Sequence, residues 1–368
     1  MRASISAFAG ACLFALGIFT AEITFASESE PGCGRPSDIH DGWAIGSPEQ
    51  QGFDPARLCA MGKGVTDGTL ANVDSIVVAR HGVLVYERYF VSPNQRYLDA
   101  TIRHVGNSMI KSVVSLLLGI ALDRGLIKDL DAPVFSYFPE YADLRTPEKD
   151  RITLRHLLTM SAGLEWHEID TPYSQAANSS NLMFHSSDPH RYVLEQKVVA
   201  PAGEIWNYNS GTSRVIIAIL TKVTGKALDE LARSQLFEPL GIKDVSWSAS
   251  RLWLRPRDWA KIGQLVLNHG VWEGKQIVPA PWVAQSTAEQ IKARQPFSYG
   301  NQWWLGHSLS GNRTIEWVAA MGFNSQKIII IPELDTVVVF NASLESKAMV
   351  APEIDLLDSY ILPAILKP

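Results

Sequence analysis

Ser108 and Lys111, in "GNSMIKSVVSLLLG", are the two residues whose types and spacing most directly suggest chemistry. On a helix, positions i and i+3 share a face, with Cβ atoms about 5–6 Å apart, so a hydroxyl and an amine can meet. Serine becomes a nucleophile only when a base takes its proton. Lysine serves as that base only if its pKa falls from the free value of about 10.4. Burial and a nearby positive field both lower it, and a helix N-terminus supplies the field. The free N–H groups there can also hold an oxyanion. The other reading is an ordinary buried helix with a serine near its start, because a chain this long contains about one Ser-x-x-Lys pair by chance. Ser108–Lys111 is the sole such pair in the sequence.

Other hydrolase and metal patterns fail on particular residues. "TMSAG" has Thr159 where a Gly-x-Ser-x-Gly elbow needs glycine. "WHEID" opens like a zinc-protease helix, but Thr171 stands where the second histidine belongs, four residues after His167. Neither a metal nor an organic cofactor is implied.

The elements that must position the pair follow from patterning. Asp54-Pro55 starts a helix, with Asp as cap and Pro at the first position. Residues 74–90, rich in Val, Ile and Tyr around His81-Gly82, read as a β-hairpin. Residues 188–290 are mostly helical, and "SRVIIAILTKVTG" is closed by glycine. That helix begins near Thr212, and another begins near Pro352. Strands return in "SYGNQWWL", "TIEWVAAMG", "SQKIIIIP" and "TVVVFNAS", the last two joined through Pro332–Asp335. The expected fold class is therefore α+β (or α/β). An antiparallel sheet built from N- and C-terminal segments is flanked by helices, with a mainly helical region inserted. Residues 27–120 and 295–368 would carry the sheet and 121–294 the helices, with a cleft between them as the default site.

The N-terminus points to export. Arg2 is followed by an apolar stretch without charge until Glu22, and Thr24-Phe25-Ala26 puts small residues at −3 and −1 of a cut after Ala26. Residues 1–26 read as a signal peptide, so the mature chain is expected to be periplasmic or secreted, without stable membrane insertion. A membrane anchor is the alternative, and a lipoprotein cut before Cys12 is disfavoured because the apolar run continues past it. Export leaves Cys33 and Cys59, an even pair expected to form a disulfide, with two free thiols as the alternative. The formal net charge of −5 and the lack of basic runs give no nucleic-acid footprint.

Taken in order, several segments resemble the serine β-lactamase-like superfamily, in particular the class C β-lactamase-related esterases and amidases, with 6-aminohexanoate-dimer hydrolase as the nearest flavour. These include "GSPEQQGFDPARL", "NSMIKSVVSLLLG", "ITLRHLLTMSAGL", "PAGEIWNYNSG", "YGNQWW" and "GFNSQKIIIIPELDTVVVF", and they run from about Trp43 to the C-terminus. The resemblance implies Ser108 as nucleophile, Lys111 as base, and Tyr208 as their proton-sharing partner. It places Ser210 where the family's second motif has Asn. The third motif falls on Ala320-Met321-Gly322, of which the glycine alone is kept, and it assigns the oxyanion N–H groups to Ser108 and Phe323. Ser210, Met321 and Gly322 would touch substrate, as would at least one of Trp166, Trp206, Trp303, Trp304 and Trp317, with Trp166 and Trp304 preferred. Core packing is the alternative for each tryptophan. The implied function is cleavage of a small-molecule ester or amide. Two alternatives remain: a β-lactamase or DD-peptidase proper, which the degraded third motif disfavours, and a non-catalytic binding relative, which the intact Ser, Lys and Tyr disfavour.

Overall fold

The computed structural model describes residues 33–70, 73–91, 98–248, 251–343 and 352–366. The expected signal peptide and Cys12 lie outside the described residues.

Nine strands form one sheet: β1 (Ala44–Ile45), β2 (Ser75–Arg80), β3 (Val83–Tyr89), β4 (Ile291–Lys292), β5 (Ser298–Tyr299), β6 (Trp304–Ser310), β7 (Arg313–Gly322), β8 (Gln326–Ile331) and β9 (Thr336–Asn341). Their order is β1-β3-β2-β9-β8-β7-β6-β5-β4. Every pairing is antiparallel except β1 beside β3. Strands from the two ends of the chain meet at β2–β9, where Val78 faces Val338. The β2–β3 hairpin turns on His81 and Gly82, both with positive φ (52° and 73°), as a tight two-residue turn requires.

The central strands β2, β8 and β9 are buried along their whole length because helices cover both sheet faces. Period-two alternation then splits their side chains between two cores. Val77, Ala79, Ile328, Ile330, Val337 and Val339 join one core with helix α2 (Ile110–Asp123). Ile76, Val78, Ile329, Ile331, Val338 and Phe340 join the other with helix α1 (Pro55–Thr66) and the C-terminal residues Leu357 and Ile361. Asp54 caps α1 as expected, accepting from the N–H of Ala56 at 2.9 Å. The two remaining long helices are α3 (Ser210–Thr224) and α4 (Pro256–Leu267). Gly263 lets α4 lie directly on the sheet, since a Cβ there would come within 2.6 Å of Val337.

Two details differ from the sequence reading. Ser108 does not lie in the α-helix itself: it occupies a 3-10 turn, Asn107–Met109, that leads into α2. The structure shows no bridge for the expected Cys33–Cys59 disulfide. The Sγ of Cys59 lies 3.7 Å from the backbone carbonyl of Cys33, so the two residues are adjacent but the thiol addresses the main chain. Among the described residues, no helix is long and apolar enough to cross a membrane, and no group of three or more His, Cys, Asp or Glu could hold a metal ion.

Candidate active site

The Ser108 turn is wedged among three neighbours. The N–H of Gly106 bonds to the carbonyl of Leu252 at 2.8 Å. A Cβ at Gly106 would strike the Trp259 ring of α4 at 2.3 Å, and one at Gly322, the last residue of β7, would come within 2.2 Å of the Gly106 carbonyl oxygen. The end of β7 therefore touches the turn backbone to backbone, as glycine allows. Asn107 takes a left-handed conformation (φ 47°), and its side-chain amide donates to the carbonyl of Phe323 at 2.8 Å. That bond holds the peptide that follows Phe323.

The Nζ of Lys111 lies 3.0 Å from the Oγ of Ser108. The turn bends the chain so that the i, i+3 pair meets where the 3-10 segment passes into α2. Twelve of the fourteen α2 residues are buried, Lys111 among them. The same Nζ stands 5.0 Å from the Tyr208 ring centroid. Tyr208 precedes α3, whose N-cap is Asn209, and the Asn209 side chain accepts from the N–H of Thr212. Trp304 stacks on Tyr208 with ring planes 23° apart.

Gln302 ties the elements carrying Ser108 and Tyr208 together. It sits buried at φ 66°. Its carbonyl accepts from Ser112 Oγ at 2.8 Å on α2, its Oε1 accepts from Ser213 Oγ at 2.7 Å on α3, and its amide donates to the carbonyl of Leu158 at 2.8 Å. One residue thus fixes the spacing of the two helices behind the pair.

A cavity of about 360 Å³ opens in front, lined among others by Ser108, Lys111, Glu168, Ser210, Arg251 and Phe323. A wider groove of about 830 Å³ beside Trp206 holds neither Ser108 nor Lys111, so the pair faces the smaller space. Of the residues singled out in the sequence, Ser108, Lys111, Ser210 and Phe323 line this cavity, while the five tryptophans do not. Trp166 and Trp304 are buried behind it, one bonded to Glu168 and the other stacked on Tyr208. Met321 packs against the core on the α1 side of the sheet.

Glu168 is the residue that sequence reasoning missed. It is 2% exposed and accepts four hydrogen bonds. Tyr173, which donates one of them, also packs edge-to-face on Phe323 across the cavity, with centroids 5.3 Å apart. Burial, reinforced by the charge of Glu168, pushes the Tyr173 phenol well above its ordinary range. In the sequence, "WHE" reads as an incomplete metal motif, and nothing local to it points to Ser210, 42 positions away.

The loop before Tyr208 rests on a histidine cap. Thr153 and His156 form a capping box on the helix Leu154–Leu158, with the Nδ1 of His156 accepting from the N–H of Thr153 at 3.1 Å. Gly203 lies against the same ring, where a Cβ would sit 3.2 Å from Nε2. Burial lowers the His156 pKa below 6.5. A depressed folded-state pKa means that the stabilisation from the neutral ring is complete above about 6.5 and is lost as pH falls through the folded value. Losing a cap costs about 1 kcal/mol, or about 2 °C in Tm for a chain of this size. His156→Gln keeps an acceptor at that position without the titration. The fall in Tm between pH 7.5 and 5, followed by circular dichroism, should therefore be about 2 °C smaller in His156→Gln than in wild type. Equal falls would remove His156 from the account.

Comparison with known proteins places this geometry. A family model described as Beta-lactamase matches residues 70–359. The 6-aminohexanoate-dimer hydrolase of Paenarthrobacter ureafaciens is 24% identical over 265 residues, covering 64% of this chain and 65% of that protein. The chain thus spans slightly less than two thirds of that relative's length. Among solved structures, a class C beta lactamase from Rhodobacter sphaeroides superposes with a TM-score of 0.62 at 18% identity, over 83% of this chain and 99% of that one. A family VIII carboxylesterase gives 0.61 at 16%, over 83% and 96%. At these identities the two structures establish the fold.

Proposed function

Because the chain belongs to the Beta-lactamase family of serine β-lactamase/transpeptidase-like proteins, we propose that it is an exported serine hydrolase that cleaves an ester or amide through an acyl-enzyme on Ser108. The observation that carries this reading is the 3.0 Å contact between Lys111 Nζ and Ser108 Oγ in the wall of an open cavity. Ser108 Oγ attacks the substrate carbonyl as Lys111 takes its proton. The carbonyl π electrons move onto oxygen, where the N–H groups of Ser108 and Phe323 receive the charge. Collapse breaks the bond to the leaving alkoxide or amine, which is protonated through Lys111 and Tyr208. Water then adds to the acyl-serine by the reverse proton path and releases the acid. Substrate reaches Ser210 and the Gly322–Phe323 edge in this scheme, and residues 1–26 are removed on export to the periplasm or medium.

Selectivity follows from the third motif. Ala320 is fully buried and Met321 packs on the core, so neither offers a positive or hydrogen-bonding group to a carboxylate. An uncharged acyl group fits this edge better than a β-lactam. A panel of p-nitrophenyl esters, linear amides and nitrocefin, run on wild type and on Ser108→Ala, tests the reading. Ester or amide turnover should exceed nitrocefin turnover by at least about a hundredfold in kcat/KM, equivalent to about 2.7 kcal/mol. Comparable nitrocefin turnover would overturn the substrate assignment.

A further inference from the structure

We propose that Glu168 is a specificity-determining residue. It turns Ser210 into a hydrogen-bond acceptor facing the cavity, and so selects acyl substrates that carry an N–H or O–H donor where their chain passes Ser210. The proposal rests on the serine hydrolase reading of the same cavity.

Four donors converge on the Glu168 carboxylate. Its Oε2 accepts from the Trp166 indole N–H at 2.7 Å and from the backbone N–H of Ser210 at 2.8 Å. Its Oε1 accepts from the Ser210 hydroxyl at 2.5 Å and from the Tyr173 hydroxyl at 2.7 Å. A carboxylate can only accept, and a serine hydroxyl has one proton to give. Both protons of Ser210, on Oγ and on the backbone nitrogen, are therefore committed to Glu168. What remains toward the cavity is a pair of lone pairs on Oγ. Turning the hydroxyl round would leave a carboxylate oxygen in a residue 2% exposed short of a donor, which costs more than one neutral hydrogen bond returns. The asparagine usual at this position in the family has two amide protons and can offer one to a substrate carbonyl. Ser210, held by Glu168, cannot.

The same geometry predicts what an isosteric change does. In Glu168→Gln the oxygen must face Trp166 and the Ser210 backbone, because these two N–H groups can only donate. The amide NH₂ then faces the hydroxyls of Ser210 and Tyr173, which can reverse and accept. The Ser210 proton is released toward the cavity, so the wall changes polarity without changing shape.

The test uses a matched series of p-nitrophenyl esters of several chain lengths, whose acyl chain carries either a secondary amide or the isosteric ester, N–H against O. The readout is the ratio of kcat/KM within each pair, which cancels any general loss of activity. Wild type should prefer the amide member by about three- to tenfold at the chain length that reaches Ser210, the size of one neutral hydrogen bond. In Glu168→Gln the ratio should fall to one or invert, and in Ser210→Ala it should be one. A wild-type ratio of one at every length, or a Glu168→Gln ratio equal to wild type, overturns the proposal. Should Glu168→Gln not fold, wild type and Ser210→Ala decide it. Failure of wild type on every ester, p-nitrophenyl acetate included, would instead remove the serine hydrolase reading and this inference with it.

Discussion

Ser108→Ala is expected to abolish covalent labelling by a fluorophosphonate and to lower kcat/KM for ester substrates by at least about a thousandfold, with losses up to about 10⁶ within the range seen when a nucleophile is removed. The argument is geometric. Ser108 Oγ is the hydroxyl that Lys111 Nζ reaches, at 3.0 Å, from a helix whose burial fixes the amine. Removing that oxygen leaves the base with nothing to activate, while the cavity and its backbone donors stay in place. Stability should change little, by about 0.5 kcal/mol or less, because Ser108 is only partly buried. Lys111→Met should fall almost as far, and the double variant no further than the worse single, since nucleophile and base act as one unit. Equal labelling of wild type and Ser108→Ala would remove Ser108 as the nucleophile.

How much of this was legible beforehand depended on how local the signal was. The Asp54-Pro55 helix start, the His81-Gly82 hairpin and the β8–β9 hairpin each lie within a few consecutive residues, where caps and alternation act directly. The Ser108–Lys111 pair was local too, and the structure brings it together. Glu168 was opaque because its role depends on Ser210, 42 positions away in the chain, which supplies two of its four donors. Gln302 was opaque for the same reason, since it joins α2, α3 and Leu158 across 89 to 190 positions. The tryptophans flank the right segments, but composition cannot say which side of a strand or loop they take. Trp166 and Trp304 turn into the packing behind the site. Cys33 and Cys59 show the reverse case, in which a pairing inferred from number and compartment meets a backbone that places a carbonyl against the thiol.

Gly322→Ala should slow turnover by about two to three orders of magnitude, although the change adds one methyl. The new Cβ would stand 2.2 Å from the Gly106 carbonyl oxygen, a backbone atom two residues before the nucleophile. Neither partner can yield alone. The Gly106 turn is pinned by Trp259 and by its bond to Leu252, and the residue after Gly322 is held through Asn107. The turn and the end of β7 must therefore separate, which pulls the Phe323 N–H away from the oxyanion position proposed for it. Removing one such donor costs about 10²–10³ in kcat, and the strain of overpacking adds about 1–3 kcal/mol of lost stability. The loss should fall mainly on kcat, because the rest of the cavity is untouched, and Lys111 should still activate Ser108 for slow fluorophosphonate labelling. Active-site titration combined with steady-state kinetics separates these effects. A Gly322→Ala enzyme with wild-type kcat would mean that the β7 edge does not hold the oxyanion.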